Sequence, residues 1–140
     1  MDKDRLSPLG KNSEIERELK QVILVGREAH SSRRQLAAYD YLGSVLRLFG
    51  RWDRRGLARK RSRKAAKLSG LQIRGDTSPI RILIDCTAHK ADRKQRSRWS
   101  RCLEFAVSKN IAAGELKSFL RANGGIAGCA GQIGNLTILA

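Results

Sequence analysis

The residues best suited to metal chemistry are few and scattered. Cys86 and His89 have the two-residue spacing of a zinc ligand pair, and Cys102 and Cys129 bring the number of soft ligands to four. The sequence holds no second closely spaced pair, and Cys102 falls on the apolar side of a predicted helix. We therefore predict buried structural thiols and no cofactor, with zinc binding as the open alternative.

Catalytic chemistry has less support in the sequence. The two histidines, His30 and His89, belong to no nucleophile motif, and no glycine loop has the lysine needed to cradle a phosphate. Asp85 stands at the end of a predicted strand, where Asp76 and Asp92 are its nearest acidic companions for a metal-dependent nuclease. Because a nuclease would need more acids nearby, we predict that the protein is not an enzyme.

Positive charge is the strongest chemical signal. The 29 Lys and Arg against 13 Asp and Glu give a net charge of +16, which exceeds what solubility requires and destabilises a compact state. Residues 51–101 hold 17 basic and 4 acidic side chains, whereas residues 1–50 hold 9 and 7. Most cations of the middle segment therefore have no acidic partner in the chain, and a polyanionic ligand is predicted.

Within this segment the cations recur about one helical turn apart. A helix face of this kind neutralises several phosphates of a nucleic acid together, and the released counterions drive binding. Arginine predominates, and its planar fork makes bidentate contacts with phosphate. The predicted nucleic-acid-binding residues are Arg47, Arg51, Arg54, Arg55, Arg59, Lys60, Arg63, Lys67, Lys94, Arg98 and Arg101.

These faces require a mainly α fold. Capping signals and apolar spacing predict about five helices, and the stretch from Ile80 to Cys86, which is β-branched and alternating, predicts one short strand between the third and fourth. The strand would pair with residues 71–74 or with its copy in a second subunit. The helices are predicted over residues 13–29, 32–54, 57–69, 88–108 and 113–123.

The length of 140 residues fits one domain. Residues 1–12 are predicted to be a mobile polar start, and residues 13–125 the basic helical domain. Residues 126–140 carry no charge; their glycines argue against a helix, and their apolar residues indicate that they pack on the domain or on a partner. A homodimer through the strand or through this tail is an open alternative.

Two arrangements would read base edges. The last two predicted helices have the apolar spacing of a helix-turn-helix, with Asn110 in the turn. Its groove-facing residues would be Lys117, Ser118 and Arg121. The strand-helix-helix order over about a third of the chain resembles ribbon-helix-helix DNA binders, and this resemblance implies that Arg81 enters the major groove. Neither arrangement has a diagnostic motif, so sequence specificity stays open.

Duplex DNA is favoured over RNA because RNA binders expose aromatic rings for base stacking. Trp52 and Trp99 fall on apolar helix faces, and the remaining candidates are Tyr41 and Phe105. We predict a DNA-binding regulator or nucleoprotein accessory factor; an adaptor or inhibitor that docks on an acidic protein, and an RNA-binding protein, are the alternatives. The sequence has neither a signal core nor a membrane-spanning run, and the dispersed cysteines favour a reducing cytoplasm.

Overall fold

Seven α-helices and one short 3-10 turn form the part of the chain that the computed structural model describes, residues 6–31 and 35–139. The prediction of a mainly α fold is confirmed, and the number of helices rises from five to seven. The helices are α1 (Leu6–Ser31), α2 (Gln35–Arg54), α3 (Ala58–Leu68), α4 (Pro79–Thr87), α5 (Arg93–Ser108), α6 (Leu116–Ala122) and α7 (Gly125–Leu139), and the 3-10 turn is Ala113–Glu115.

The segment predicted as a strand is helix α4, so the strand prediction is wrong. Ser78 caps α4 by accepting a hydrogen bond from the Arg81 amide, and Pro79 occupies the first turn. The helix packs against α1, α2, α3 and α5, and six of its nine residues are buried. Its polar side is narrow, since it consists of Arg81 and Asp85 four residues apart, and the alternating Ile80, Ile82 and Ile84 resemble a strand.

Without that strand, the ribbon-helix-helix order is absent from residues 6–31 and 35–139. Arg81 lies on a helix, where its Nε donates to the Asp85 carboxylate at 3.0 and 3.2 Å. Because the strand is absent there, two subunits cannot pair through it, and this route to a homodimer is excluded.

The start of α5 also differs from the prediction. Thr87 was expected to cap a helix over 88–108, but it ends α4, where its hydroxyl donates to the Leu83 carbonyl at 2.7 Å. Asp92 caps α5 instead, since its carboxylate accepts from the Gln95 amide at 2.8 Å.

The core is centred on α2 and α4. The buried side of α2 includes Leu42, Val45 and Trp52, and Tyr41 is buried as well. The Tyr41 hydroxyl lies 2.7 Å from the Thr87 hydroxyl, and its ring contacts Trp99 at a centroid distance of 5.1 Å. Burial raises the pKa of Tyr41 well above its usual range, so the phenol stays protonated and its hydrogen bond ties α2 to α4.

Two acids of α1 hold α2 and α3 in place. Glu18 accepts from Arg51 at 2.8 Å and from the Trp52 indole N–H at 3.1 Å. Glu14 accepts from Arg61 of α3 at 2.7 Å, and this hydrogen bond lowers the pKa of the Glu14 carboxyl. Few acids are available in this chain, and these two are used to join helices.

Helix α1 begins at Leu6, whereas its capping signal predicted a start at Ser13. Residues 1–5 of the predicted mobile start lie outside the described residues, as do residues 32–34 at the predicted start of α2 and residue 140. The division into a start, a domain and a tail stays a prediction.

The uncharged tail forms helix α7, which corrects the expectation that its glycines would prevent a helix. The predicted stop before it is confirmed, because Gly124 and Gly125 have φ of 82° and 75°. Helix α7 packs along α5, and Cys129 and Ala130 are buried there. A Cβ at Gly128 would overlap the carbonyl of Asn123. Because Gly128 has no side chain, α7 can lie this close to Asn123 at the end of α6.

Candidate nucleic-acid interface

The inner side of α3 consists of small residues, which let the helix lie close to its neighbours. Helix α3 packs against α1, α2 and α4. Its buried residues are Ala58, Ser62, Ala65 and Ala66. With 3.6 residues per turn, the long side chains of the helix then point outward. Helix α3 is thus fixed by its small side and presents its cations to solvent.

The outer side of α3 carries five cations and no acid, and we call it the α3 face. It consists of Arg59, Lys60, Arg63, Lys64 and Lys67. Steps of three and four residues keep these side chains on one side of the helix. Arg63 is half-buried and donates from Nη2 to the Gly75 carbonyl at 2.5 Å. The other four are exposed along a helix of 11 residues.

The acids nearest α3 contact its opposite side. Arg61 lies 2.7 Å from Glu14 and 3.9 Å from Glu18 of α1. Among the side chains that the structure describes, the four exposed cations of the α3 face have no ion-pair partner. Their positive fields therefore add, because no carboxylate is paired with them.

The four predicted residues of α2 divide between two places. Arg51 is paired with Glu18, and Arg55 lies in the same hollow beside the acids of α1. Arg47 and Arg54 line a groove between α2 and residues 110–113. These four residues therefore do not form one stripe, and the positive charge of Arg51 is partly neutralised by Glu18.

The predicted residues of α5 lie on a different helix, which packs against α4 and α7. Lys94, Arg98 and Arg101 are exposed, and Arg101 donates from Nη1 to the Ser97 hydroxyl at 2.6 Å. We call these three residues the α5 edge. The sequence did not indicate that α4 would lie between α3 and α5, because it predicted that segment as a strand.

Lys64 belongs to the α3 face but was missing from the predicted set. It lies four residues after Lys60 and one after Arg63, on the exposed side of α3. Spacing of four residues from an already chosen cation was the signal that could have found it.

The cysteines do not form a metal site. Cys86, Cys102 and Cys129 are buried, and His89 is exposed with its Nε2 2.7 Å from the Cys86 carbonyl. Of the side chains described, no three His, Cys, Asp or Glu come together as metal ligands. The structure does not bring Cys86, His89, Cys102 and Cys129 together, as the zinc alternative required.

We expect the three thiols to resist labelling in the native protein. Burial raises the pKa of Cys86 to about 11, and it raises the pKa of Cys102 and of Cys129 as well. Because the thiolate is the reactive form, labelling by a disulfide reagent at pH 8 should be slower than for an exposed cysteine by roughly a thousandfold. Stopped-flow absorbance measures this rate. In guanidinium all three thiols should react quickly, and one fast native thiol would contradict their burial.

Two of the three acids considered for a nuclease, Asp85 and Asp92, are used in structural bonds. Asp85 accepts from the Nε of Arg81 and from the Nε of Arg96, each at 3.0 Å. Asp92 caps α5, and Asp76 lines a cleft beside α5. Two arginines on one carboxylate oppose the binding of a metal cation there.

The predicted helix-turn-helix corresponds to α5 and α6. Asn110 has a positive φ of 58°, as expected for the turn residue. Helix α6 has only seven residues and packs against α2 and α7. Of the predicted groove-facing residues, Lys117 is held by Asp40 at 2.7 Å. Groove reading by this pair stays a prediction.

The aromatic candidates for base stacking are all buried. They are Tyr41, Trp52, Trp99 and Phe105. The Phe105 ring packs on Phe119 at a centroid distance of 5.5 Å, with the Lys109 ammonium 5.8 Å from its centroid. None of the four offers the free ring face that single-stranded nucleic acid needs.

Comparison with protein-family models, curated proteins and solved structures found no match for this chain. In the described part of the chain, every helix is too short or too polar to cross a lipid bilayer. The geometry of the α3 face is therefore the basis on which function is argued.

Proposed function

We propose that this protein binds duplex DNA by its phosphates through the α3 face. The observation that carries the proposal is the set of four exposed cations on one helix side, with no described acidic partner. Arg59 and Lys67 are eight residues apart, which corresponds to about 12 Å along the helix axis. Such a row can contact several phosphates of one strand together, and the release of their counterions supplies the binding energy.

The shape of this surface favours a duplex. A helix with its side chains has a diameter of roughly 10–12 Å, close to the width of the DNA major groove. RNA recognition would instead use single strands stacked on exposed aromatic rings. The burial of the four aromatic candidates thus supports DNA over RNA.

The residue types favour contacts with phosphates over contacts with bases. The α3 face has only Arg and Lys, which bind phosphate and can read guanine, and it has no Asn or Gln to read adenine. Binding would therefore depend little on sequence, which favours a nucleoprotein accessory factor over a regulator with a defined operator. A homodimer and a cytoplasmic location are parts of the same proposal.

A salt titration of binding to a random 20-base-pair duplex tests this function. Four phosphate contacts predict a slope of log K against log salt of about −3.6. Fluorescence anisotropy from 50 to 300 mM salt measures the slope. The proposal fails if no binding occurs at 50 mM salt. It also fails if polyglutamate competes for the protein as effectively as unlabelled duplex DNA when the two competitors carry equal total charge. That result would favour the acidic-protein alternative.

A further inference from the structure

A cleft of about 660 Å³ lies between the connection from α3 to α4 and the first three turns of α5. Residues 72–78 form one wall, α5 forms another, and Arg81 and Asp85 of α4 also line the cleft. Its acidic lining residues are Asp76, Asp85 and Glu104. Its volume is within the range of roughly 300–1,000 Å³ that is typical of ligand sites. We call it the 72–78 cleft. Only one of the predicted binding residues, Arg101, lines it.

Four guanidinium groups line this cleft, from Arg74, Arg81, Arg93 and Arg101. Arg81 is bonded to Asp85, and Arg101 to the Ser97 hydroxyl. Arg74 and Arg93 are exposed, and their guanidinium groups have no hydrogen-bond or ion-pair partner within the described chain. These two come from opposite walls. A phosphate between them would receive planar, charge-assisted hydrogen bonds from both sides.

A fixed acceptor completes the lining. The Oε2 of Glu104 accepts from the Ser78 hydroxyl at 2.8 Å and from the Ser100 hydroxyl at 2.9 Å. No cation in the described residues lies within ion-pair distance of this carboxylate. Its other oxygen, Oε1, is left to accept a hydrogen bond from a ligand hydroxyl or amino group. A ligand that contacts both the arginines and Glu104 must therefore have an anionic group at one end and a hydrogen-bond donor at the other.

We infer that the 72–78 cleft binds a nucleoside phosphate. Arg74 and Arg93 hold its phosphate, and Glu104 accepts from a sugar hydroxyl or a base amino group. Ile73, which is half-buried in the wall, offers an apolar surface for the base. The cleft shares no lining residue with the α3 face, although Arg63 of that face donates to the Gly75 carbonyl in the 72–78 connection. The inference does not depend on duplex binding.

Isothermal titration of the full chain at 50 mM salt tests the inference. The probes are adenosine monophosphate, ribose 5-phosphate and inorganic phosphate. We expect adenosine monophosphate to bind at least tenfold more tightly than inorganic phosphate, because only the former also reaches Glu104. A 5′-phosphorylated single-stranded octanucleotide tests whether the ligand is a free nucleotide or the end of a nucleic-acid strand. Tighter binding than that of adenosine monophosphate indicates a strand end. Weaker binding indicates a free nucleotide. Equal affinity of all the probes would overturn the proposal.

Two variants separate the cleft from general electrostatics. Arg74→Gln/Arg93→Gln should weaken nucleotide binding at least tenfold, whereas Lys94→Gln/Arg98→Gln, which removes the same charge outside the cleft, should change it less than threefold. An equal loss in both variants would show that the cleft has no specific role. Glu104→Gln should bring the preference for nucleotide over inorganic phosphate below threefold. An unchanged preference would contradict the role of Glu104.

The same variants keep this test independent of the proposed function. Arg74→Gln/Arg93→Gln should bind duplex DNA within threefold of the native protein. If the native protein fails to bind duplex DNA but binds the nucleotide as described, the proposed function fails and the nucleotide site stands.

Discussion

The double variant Lys60→Gln/Lys64→Gln is expected to bind duplex DNA roughly 60-fold more weakly than the native protein at 0.1 M salt. Each lost phosphate contact reduces the magnitude of the slope of log K against log salt by about 0.9, and it lowers log K at 0.1 M salt by about 0.9. The slope should therefore change from about −3.6 to about −1.8. Anisotropy titrations of both proteins at several salt concentrations measure the two quantities together.

Both lysines lie on the exposed side of α3, away from the small residues that fix the helix. Replacing them with glutamine removes charge but keeps an unbranched side chain with good helix propensity. Circular dichroism and thermal melting should accordingly show an unchanged fold. A loss of affinity then reports the loss of phosphate contacts and not the loss of structure.

Lys94→Gln/Arg98→Gln is the matched control, because it removes two exposed cations from the α5 edge. We expect its affinity for DNA to stay within threefold of the native value, with a slope that changes by less than one. If this control loses as much affinity as the α3 variant, binding follows net charge alone, and the proposal that the α3 face is the interface is wrong.

Sequence reasoning identified α2 and α3 because each has one polar and one buried side. It failed at α4, where the alternating Ile80, Ile82 and Ile84 were given more weight than the four-residue spacing of Arg81 and Asp85. Ser78 and Pro79 are a helix-start pair, and both were visible in the sequence. The turn-forming residues before them, Gly75 and Asp76, favoured the strand interpretation.

The candidate site was likewise predictable from the sequence only in part. Composition alone predicted that residues 51–101 would expose unpaired cations, because four acids cannot neutralise 17 cations. Which cations would be paired did not follow, since the partners of Arg51 and Arg61 are acids of α1, more than 30 residues away in sequence. The 72–78 cleft depends on how α4 and α5 pack, and no local pattern encodes it.

Helix α7 provides the second large expected effect. Gly128→Ala should lower the free energy of unfolding by about 2 kcal/mol, since the new methyl group would overlap the backbone carbonyl of Asn123. Backbone cannot rotate away as a side chain can, so α7 must shift relative to Asn123 at the end of α6. Guanidinium unfolding followed by tryptophan fluorescence measures the change as a lower midpoint at constant slope.

Gly131→Ala is the control within the same helix, because a Cβ at Gly131 meets no atom within 4 Å. Alanine there gains helix propensity without a clash, so the free energy of unfolding should rise by up to about 1 kcal/mol. Opposite signs for two Gly→Ala changes three residues apart are expected only if α7 is helical and Gly128 lies against the Asn123 carbonyl. If residues 126–140 formed the non-helical tail that their glycines predict, neither alanine would meet that carbonyl. The two changes would then have similar effects, and the packing of α7 described above would be contradicted.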